Sequence, residues 1–398
     1  MKYSSKYTIL SFVFLLVTTC INTPVEDSDS ISSQSEKQLF YVYGESFYSS
    51  IVDIMVYDES EDYLWSGTGT YITSDGYIVT NQHVSVGGSF YDIYPFSMRD
   101  LTTDTFIDPI TGNEVEPIEA KLIASSQCND ISLLKVESDI EVNYLEWYGK
   151  DFSPGLEVYT LGYPGIADGN IAVTTGVVSF LNSDGDTDWT APGRNTFAHT
   201  APIYGGNSGG PVVSSEGKIV GINNMSVPGD RVGDFELSSA INNDFVKNLI
   251  ENYLIKGIDF QDLGMESRAT DMWYFLDEYD SREFTLHFIE VLQPNGIAYN
   301  SGLKVNDLLI EVNNQRIGEF ELSTQLCDVL KEWEDSKNNS IEYLAYSCSK
   351  RTFYKGTFNK DKSQSTVNSS IGNKFSSHFK NNDFDNVCDN FLDFYSES

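Results

Sequence analysis

The chain has 398 residues, 40% of them apolar and 13% aromatic, enough to fill the cores of two domains and too much for wholesale disorder. Its 25 basic residues face 59 acidic ones, a net charge of −34. That balance leaves no basic footprint to neutralise phosphates, so nucleic acid is excluded as a partner.

Lys2 and Lys6 flank the start of an apolar run over residues 8–17, too short for a stable membrane span and suited to the core of an export signal. Val17-Thr18-Thr19-Cys20 sets an aliphatic residue three before a cysteine and resembles a bacterial lipoprotein cleavage box. Thr19 departs from the Gly, Ala or Ser usual there. On this reading residues 1–19 are a signal peptide, Cys20 becomes a lipidated N-terminus, and residues 20–38 form a polar, flexible tether. The protein is then exported and held in the cell envelope, on the periplasmic side or at the cell surface. An ordinary secretory signal with an incidental cysteine is the alternative.

Residues 39–256 read as a series of short strands. Tyr71-Ile72-Thr73 and Tyr77-Ile78-Val79-Thr80 flank Ser74-Asp75-Gly76, and Asp-Gly suits a tight hairpin turn. Pro211-Val212-Val213 and Lys218-Ile219-Val220-Gly221-Ile222 form a second hairpin around Ser215-Glu216-Gly217. Many short strands with regular turns predict an all-β barrel or sandwich. Ile241, Phe245, Leu249 and Tyr253 recur every four residues and predict a closing helix, capped by Ser238 or Ser239 and ending at Lys256-Gly257.

Residues 257–358 form a second unit with strands over 285–291 and 308–312. Its helix carries Leu326, Val329, Leu330 and Trp333 on one face, with Ser323 as its cap. Residues 359–398 read as a polar tail largely without fixed structure, with a short docking helix conceivable at its end. Apart from Cys20 the cysteines are Cys128, Cys327, Cys348 and Cys388. No paired C-x-x-C spacing points to zinc, and a Cys327–Cys348 bridge is conceivable.

Gly205-Gly206-Asn207-Ser208-Gly209-Gly210-Pro211 displays one serine among four glycines, which permit the positive φ of a sharp turn. A serine so presented has a bare hydroxyl and backbone N–H groups free to converge on one spot, as a nucleophile with an oxyanion hole requires. It needs a base, and only four histidines exist. His378 lies in the tail, while His287 and His199 lie in strand-like runs. His83 stands at the junction after the strand 77–80. Asp130, at the mouth of the apolar run Ile131-Ser132-Leu133-Leu134, is the candidate to orient the imidazole. The chain order His83, Asp130, Ser208 is that of chymotrypsin-like enzymes rather than subtilisins or α/β-hydrolases.

Thr80-Asn81-Gln82-His83-Val84, Asn129-Asp130-Ile131-Ser132-Leu133-Leu134-Lys135-Val136 and Gly206-Asn207-Ser208-Gly209-Gly210-Pro211 resemble the His, Asp and Ser motifs of the HtrA (Deg) family of trypsin-like serine proteases. Gly67-Thr68-Gly69-Thr70-Tyr71-Ile72 resembles that family's glycine-rich strand ahead of the histidine. The resemblance implies an all-β chymotrypsin-like double β-barrel with the site at the barrel junction, and the N–H groups of Gly206 and Ser208 as the oxyanion hole. It implies no metal and no cofactor, and polypeptide substrates, unfolded or damaged envelope proteins among them. Ile203, Asn223 and Met225 are the expected specificity pocket, suited to a small or medium aliphatic side chain. Glutamate-specific relatives carry histidine where this chain has Asn223, so His199 is not expected to select acidic residues. The acidic run 182–188 lacks the Gly and Glu of a calcium loop and reads as an exposed hairpin.

Residues 288–291 and 298–313 resemble a PDZ domain, which adds an α+β fold after the barrels. Asn306 stands there in place of a usual glycine. Leu263-Gly264-Met265 is the expected loop for a peptide's C-terminal carboxylate. The family often forms trimers, for which the aromatic run Phe40-Tyr41-Val42-Tyr43 is a candidate contact. A protease fold kept as a latent or inactive peptide-binding scaffold, or a protease that processes one partner, are the alternative functions.

Overall fold

Two runs of six antiparallel strands each close on themselves. The computed structural model describes residues 47–96, 98–100, 105–108, 111–137, 140–181, 195–227, 237–256, 262–271, 285–317, 326–365, 367, 384, 385 and 387–389. The export signal with Cys20, the tether, the run 40–43, the acidic run 182–188, Ser323 and His378 lie outside the described residues.

The first barrel takes β1 (Ile51–Tyr57), β2 (Tyr63–Tyr71), β3 (Tyr77–Thr80), β4 (Phe90–Pro95), β7 (Ile118–Ser126) and β8 (Ile131–Val136), in the order β1-β2-β3-β8-β7-β4. A small ribbon of β5 (Met98–Asp100) and β6 (Thr105–Ile107) stands apart from it. The barrel interior is filled by Val52, Ile54, Tyr71, Ile78, Ile93 and Leu134, side chains that alternate inward along their strands. The Asp-Gly hairpin forms with Tyr71 opposite Ile78 and Gly76 at φ 90°.

The second barrel takes β9 (Glu157–Gly162), β10 (Ala172–Leu181), β11 (Thr196–His199), β12 (Pro211–Ser214), β13 (Ile219–Val227) and β14 (Leu237–Asn242), in the order β10-β11-β14-β13-β12-β9. Val158, Val178, Phe197, Val212 and Val220 fill it. The chymotrypsin-like double barrel expected from the sequence is therefore present.

The closing helix starts later than its periodicity implied. Ser238, Ser239 and Ile241 belong to β14, where they pair with β11 and β13, and the helix runs Asn243–Lys256. Strand pairing claims the first of the four spaced apolar residues. Asn242 rather than a serine serves the start, its Oδ1 accepting from Asp244 N–H at 3.0 Å.

The remaining strands are β15 (Met265–Asp271), β16 (Thr285–Leu292), β17 (Asp307–Val312), β18 (Gln315–Arg316), β19 (Ser340–Ser347) and β20 (Thr352–Asn359). They form one sheet in the order β15-β16-β17-β19-β20, with β18 on β17. Numbering helices along the chain, α1 is Gln82–Ser85, α2 is Asn243–Lys256, α3 is Ile297–Asn300 and α4 is Leu326–Asp335. Leu326, Val329, Leu330 and Trp333 of α4 pack into a core with Leu263, Met265 and Phe358. This mixed α/β unit agrees with the PDZ-like expectation. Asn306 has φ 67°, so it adopts the left-handed turn for which glycine is the easier residue and asparagine the best substitute.

The disulfides differ from the pairing considered above. Cys128 joins Cys327, and Cys348 joins Cys388. Cys348 and Cys388 are buried together with Phe384 and Val387 against the sheet face of Phe288, Leu308 and Phe353, so one piece of the C-terminal region is covalently docked. Cys327 instead reaches across to the first barrel. The sequence holds no signal for a partner 199 residues away. Among the described residues no helix is long and apolar enough to cross a membrane, and no group of three or more His, Cys, Asp or Glu could hold a metal ion.

Candidate active site

His83 sits on the single turn α1, which β3 delivers directly from the barrel wall. Asp130 is the residue that ends a 3-10 turn, Gln127–Asn129, and begins β8. Its φ of 50° and ψ of 44° are left-handed, a conformation disfavoured for a side chain with a Cβ but open to aspartate. Asn81 Nδ2 donates to the Asp130 carbonyl at 2.9 Å, and the Asp130 N–H bonds the Gln127 carbonyl at 3.2 Å. Thus the residue two before His83 braces the backbone of Asp130.

The two side chains meet squarely. His83 Nδ1 lies 2.9 Å from Asp130 Oδ1 and 3.0 Å from Oδ2, and the His83 backbone N–H donates to Oδ1 at 3.1 Å. An ionised carboxylate only accepts, so Nδ1 carries the proton and Nε2 is left as the accepting nitrogen of the neutral ring. Burial is the largest influence on the ring and lowers its pKa. The attraction and hydrogen bond of Asp130, joined by the Glu266 carboxylate, outweigh it and hold His83 above its ordinary 6.5. Asp130 is 3% exposed, whereas 26% of the His83 side chain faces solvent, so only the ring is open to a substrate.

Ser208 occupies the turn between β11 and β12. Gly206 has φ 101°, and a Cβ there would strike the Tyr163 carbonyl oxygen and Pro164. Gly209 has φ 81°, and a Cβ there would strike the Thr68 carbonyl and Thr80 Oγ1. These two positions need glycine for conformation and for space alike. Among the described residues, neither the Gly206 N–H nor the Ser208 N–H donates to a backbone carbonyl, while those of Asn207, Gly209 and Gly210 do. Two unspent donors flanking the serine are what an oxyanion would bind.

Thr68 ties this turn to the first barrel. Its hydroxyl donates to the Gly206 carbonyl at 2.6 Å and accepts from Tyr163 N–H at 2.9 Å, while its N–H donates to the Ser208 carbonyl at 2.9 Å. Thr80 Oγ1 in turn donates to the Thr68 carbonyl at 2.8 Å. His83, three residues beyond Thr80, and Ser208 are therefore joined through one pair of threonines. The Ser208 hydroxyl lies 3.4 Å from the Asn224 carbonyl oxygen.

The residues expected to line a specificity pocket are placed variously. Ile203 is 7% exposed, just upstream of the turn. Asn223 is fully buried beneath it, with Nδ2 donating to the Gly210 carbonyl at 3.2 Å. Met225 lies on β13 opposite Ser239. His199 is fully buried, and burial pushes its pKa down to about 4. Asn223 and the Ala201 backbone lie near enough to oppose that shift, yet neither ring nitrogen makes a well-formed hydrogen bond. His287, buried on β16 with Nδ1 3.1 Å from Ser267 Oγ, is likewise lowered to about 4. Both are neutral core residues at physiological pH, which leaves His83 as the titrating histidine among the described residues.

Leu263-Gly264-Met265 does not face open solvent. Leu263 and Met265 are buried at 1% and 0% exposure, and the Gly264 N–H donates to Asp262 Oδ1 at 2.8 Å. The Met265 carbonyl accepts from Gln82 Nε2 at 3.3 Å, next to His83. Gln293 adds a second link, its Oε1 accepting from Gly87 N–H at 2.9 Å and its Nε2 donating to the Gly88 carbonyl at 2.5 Å. Sequence reasoning found none of Thr68, Gln82, Asn224, Glu266 and Gln293 as individual participants. Only Thr68 and Gln82 carried a signal, their places in the glycine-rich strand and in the His motif.

Residues 67–222 match the family model described as a trypsin-like peptidase domain, a span that includes His83, Asp130 and Ser208. The chain is 29% identical over 294 residues to a "Probable periplasmic serine endoprotease DegP-like" of Bartonella henselae, covering 69% of this chain and 52% of that protein. It is 28% identical over 298 residues to the "Serine protease Do-like HtrA" of Bacillus subtilis, covering 70% and 60%. The chain thus matches only between half and three fifths of the length of these curated relatives. A crystal structure of the serine endoprotease from Yersinia pestis aligns over 83% of this chain and 97% of its own, at 19% identity and a TM-score of 0.43. The double barrel is thus in place, its core residues 67–222 match a trypsin-like peptidase domain, and the chain is similar over about two thirds of its length to HtrA- and DegP-like serine proteases.

Proposed function

We propose that this protein is a serine endopeptidase in which Ser208 attacks the scissile carbonyl, His83 takes and returns the proton, and Asp130 orients the imidazole. The observation that carries this reading is the His83 Nδ1–Asp130 contact at 2.9 Å, which leaves Nε2 free to act as the base. The free N–H groups of Gly206 and Ser208 hold the oxyanion as the carbonyl becomes tetrahedral. Ile203, Asn223 and Met225 stand for the side of the site that reads the residue before the cut, and a small or medium aliphatic side chain fits it best.

The substrates are unfolded or damaged proteins of the cell envelope, and Cys20 carries the lipid that holds the protease there. The two disulfides accord with an exported protein, since such bridges persist in oxidising compartments. A C-terminal peptide at Leu263-Gly264-Met265, which would have to displace the Asp262 carboxylate from the Gly264 N–H, and a trimer through residues 40–43, complete the reading as family-like partners. Digestion of an unstructured generic protein tests it. The wild type should release many peptides and Ser208→Ala none. A single product would replace this reading with narrow processing, and no product from the wild type would leave a peptide-binding scaffold.

A further inference from the structure

The two disulfides differ in setting. Cys348 and Cys388 are 4% and 0% exposed and closed within an aromatic core. Cys128 and Cys327 are both only half-buried. Thiol–disulfide exchange needs a thiolate to reach a sulfur, so solvent-reachable bridges are the labile ones. The half-buried bridge is also the one that crosses from the first barrel to α4.

Its position in the barrel is specific. Cys128 is the middle residue of the 3-10 turn whose end is Asp130, and it packs against the core of Leu263, Met265, Leu326 and Leu330. The left-handed backbone of Asp130 is sustained only where the surroundings hold it. On the histidine side, Gln82 donates to Met265, and Gly87 and Gly88 bond Gln293. Both members of the His83–Asp130 pair therefore have close chain neighbours fastened to the PDZ-like unit, and the covalent fastening is on the aspartate side.

We propose that Cys128–Cys327 is a thiol–disulfide exchange site through which a dithiol reductant releases the Asp130 turn from the PDZ-like unit and lowers the activity of the protease. The inference rests on the serine-protease reading. One thiolate of the reductant attacks a sulfur of the bridge, forming a mixed disulfide and expelling the other cysteine as a thiolate. The second thiol of the reductant then displaces the remaining cysteine. The chain gains two electrons and two protons as two thiols, and the dithiol leaves as its disulfide. The chain still tethers the units, so the Gln82 and Gln293 contacts re-form in a fraction of molecules, and exchange tunes activity without unfolding the protein.

The test compares the full oxidised chain with the same chain held in dithiothreitol, each alkylated and mapped by mass spectrometry. Cys128 and Cys327 should be alkylated well before Cys348 and Cys388. kcat should then fall on the order of tenfold, as expected for a misplaced positioning group, with KM changing less. Amide exchange should rise over residues 127–130 and 263–267 but not across the barrel cores. Reoxidation of a reduced sample withheld from alkylation should restore all three readings, and C128S/C327S should sit at the reduced value and ignore the reductant. Unchanged kcat with both thiols alkylated, equal alkylation of all four cysteines, or loss of activity only through global unfolding would each overturn the proposal. If the double variant does not fold, the wild-type alkylation and exchange time courses decide. Failure of the oxidised chain to react with a fluorophosphonate would instead sink the protease reading, and the exchange data would still decide whether the bridge controls the turn.

Discussion

At the scale of single residues, the site depends on one proton being on the right nitrogen. Asp130 holds Nδ1 protonated, so replacing it with Asn, which also donates, permits the wrong tautomer. Asp130→Asn should lower kcat by about 10⁴-fold with little change in fold, measured by peptide hydrolysis beside circular dichroism. A loss under tenfold would remove Asp130 from the mechanism. The protonated ring cannot accept a proton from Ser208, and its pKa lies above 6.5. Activity is therefore lost as pH falls through that raised value, and the acid limb of kcat/KM should have its midpoint above 6.5. Glu266→Gln removes a negative charge that favours the imidazolium, so the same midpoint should move to lower pH. A midpoint that stays put would show that Glu266 exerts no field on the ring. The meeting of His83 with Asp130 was legible in the sequence because few histidines compete and each motif has a distinctive neighbourhood. Glu266 was not, because its effect on His83 arises only when β15 docks beside α1.

At the scale of elements, the Ser208 turn is held from outside itself. Thr68 in β2 bonds both Gly206 and Ser208, and Thr80 in β3 bonds Thr68. Thr68→Val keeps the shape and removes the hydroxyl, leaving the Gly206 carbonyl without that donor and the Tyr163 N–H without that acceptor. It should cost about 1–3 kcal/mol in chemical denaturation and lower kcat more than it raises KM. An unchanged kcat would mean that the turn holds its own geometry. The same scale shows why some elements read well and others shifted. The Asp75-Gly76 hairpin follows from local turn chemistry and formed where expected. The start of α2 did not, because Ser238 and Ser239 suit a cap equally well as a strand, and only the pairing with β11 and β13 decides between them.

At the scale of the molecule, three units are stitched by contacts far apart in sequence. The Cys128–Cys327 and Cys348–Cys388 pairings depend on how the PDZ-like sheet docks, which no spacing of cysteines encodes. The second bridge closes 40 residues. Its loss in C348S/C388S should cost about 4 kcal/mol through the freer unfolded chain, read as a lower Tm, while reactivity at Ser208 persists below that temperature. An unchanged Tm would show that Phe384 and Val387 dock without the bridge. The central claim, that Ser208 is a nucleophile activated by His83 and Asp130, is tested most directly by mapping the adduct of a fluorophosphonate on the intact oxidised chain. The account predicts one covalent phosphonate, on Ser208, absent in Ser208→Ala and formed far more slowly in Asp130→Asn. No adduct, or an adduct on another serine, would contradict it.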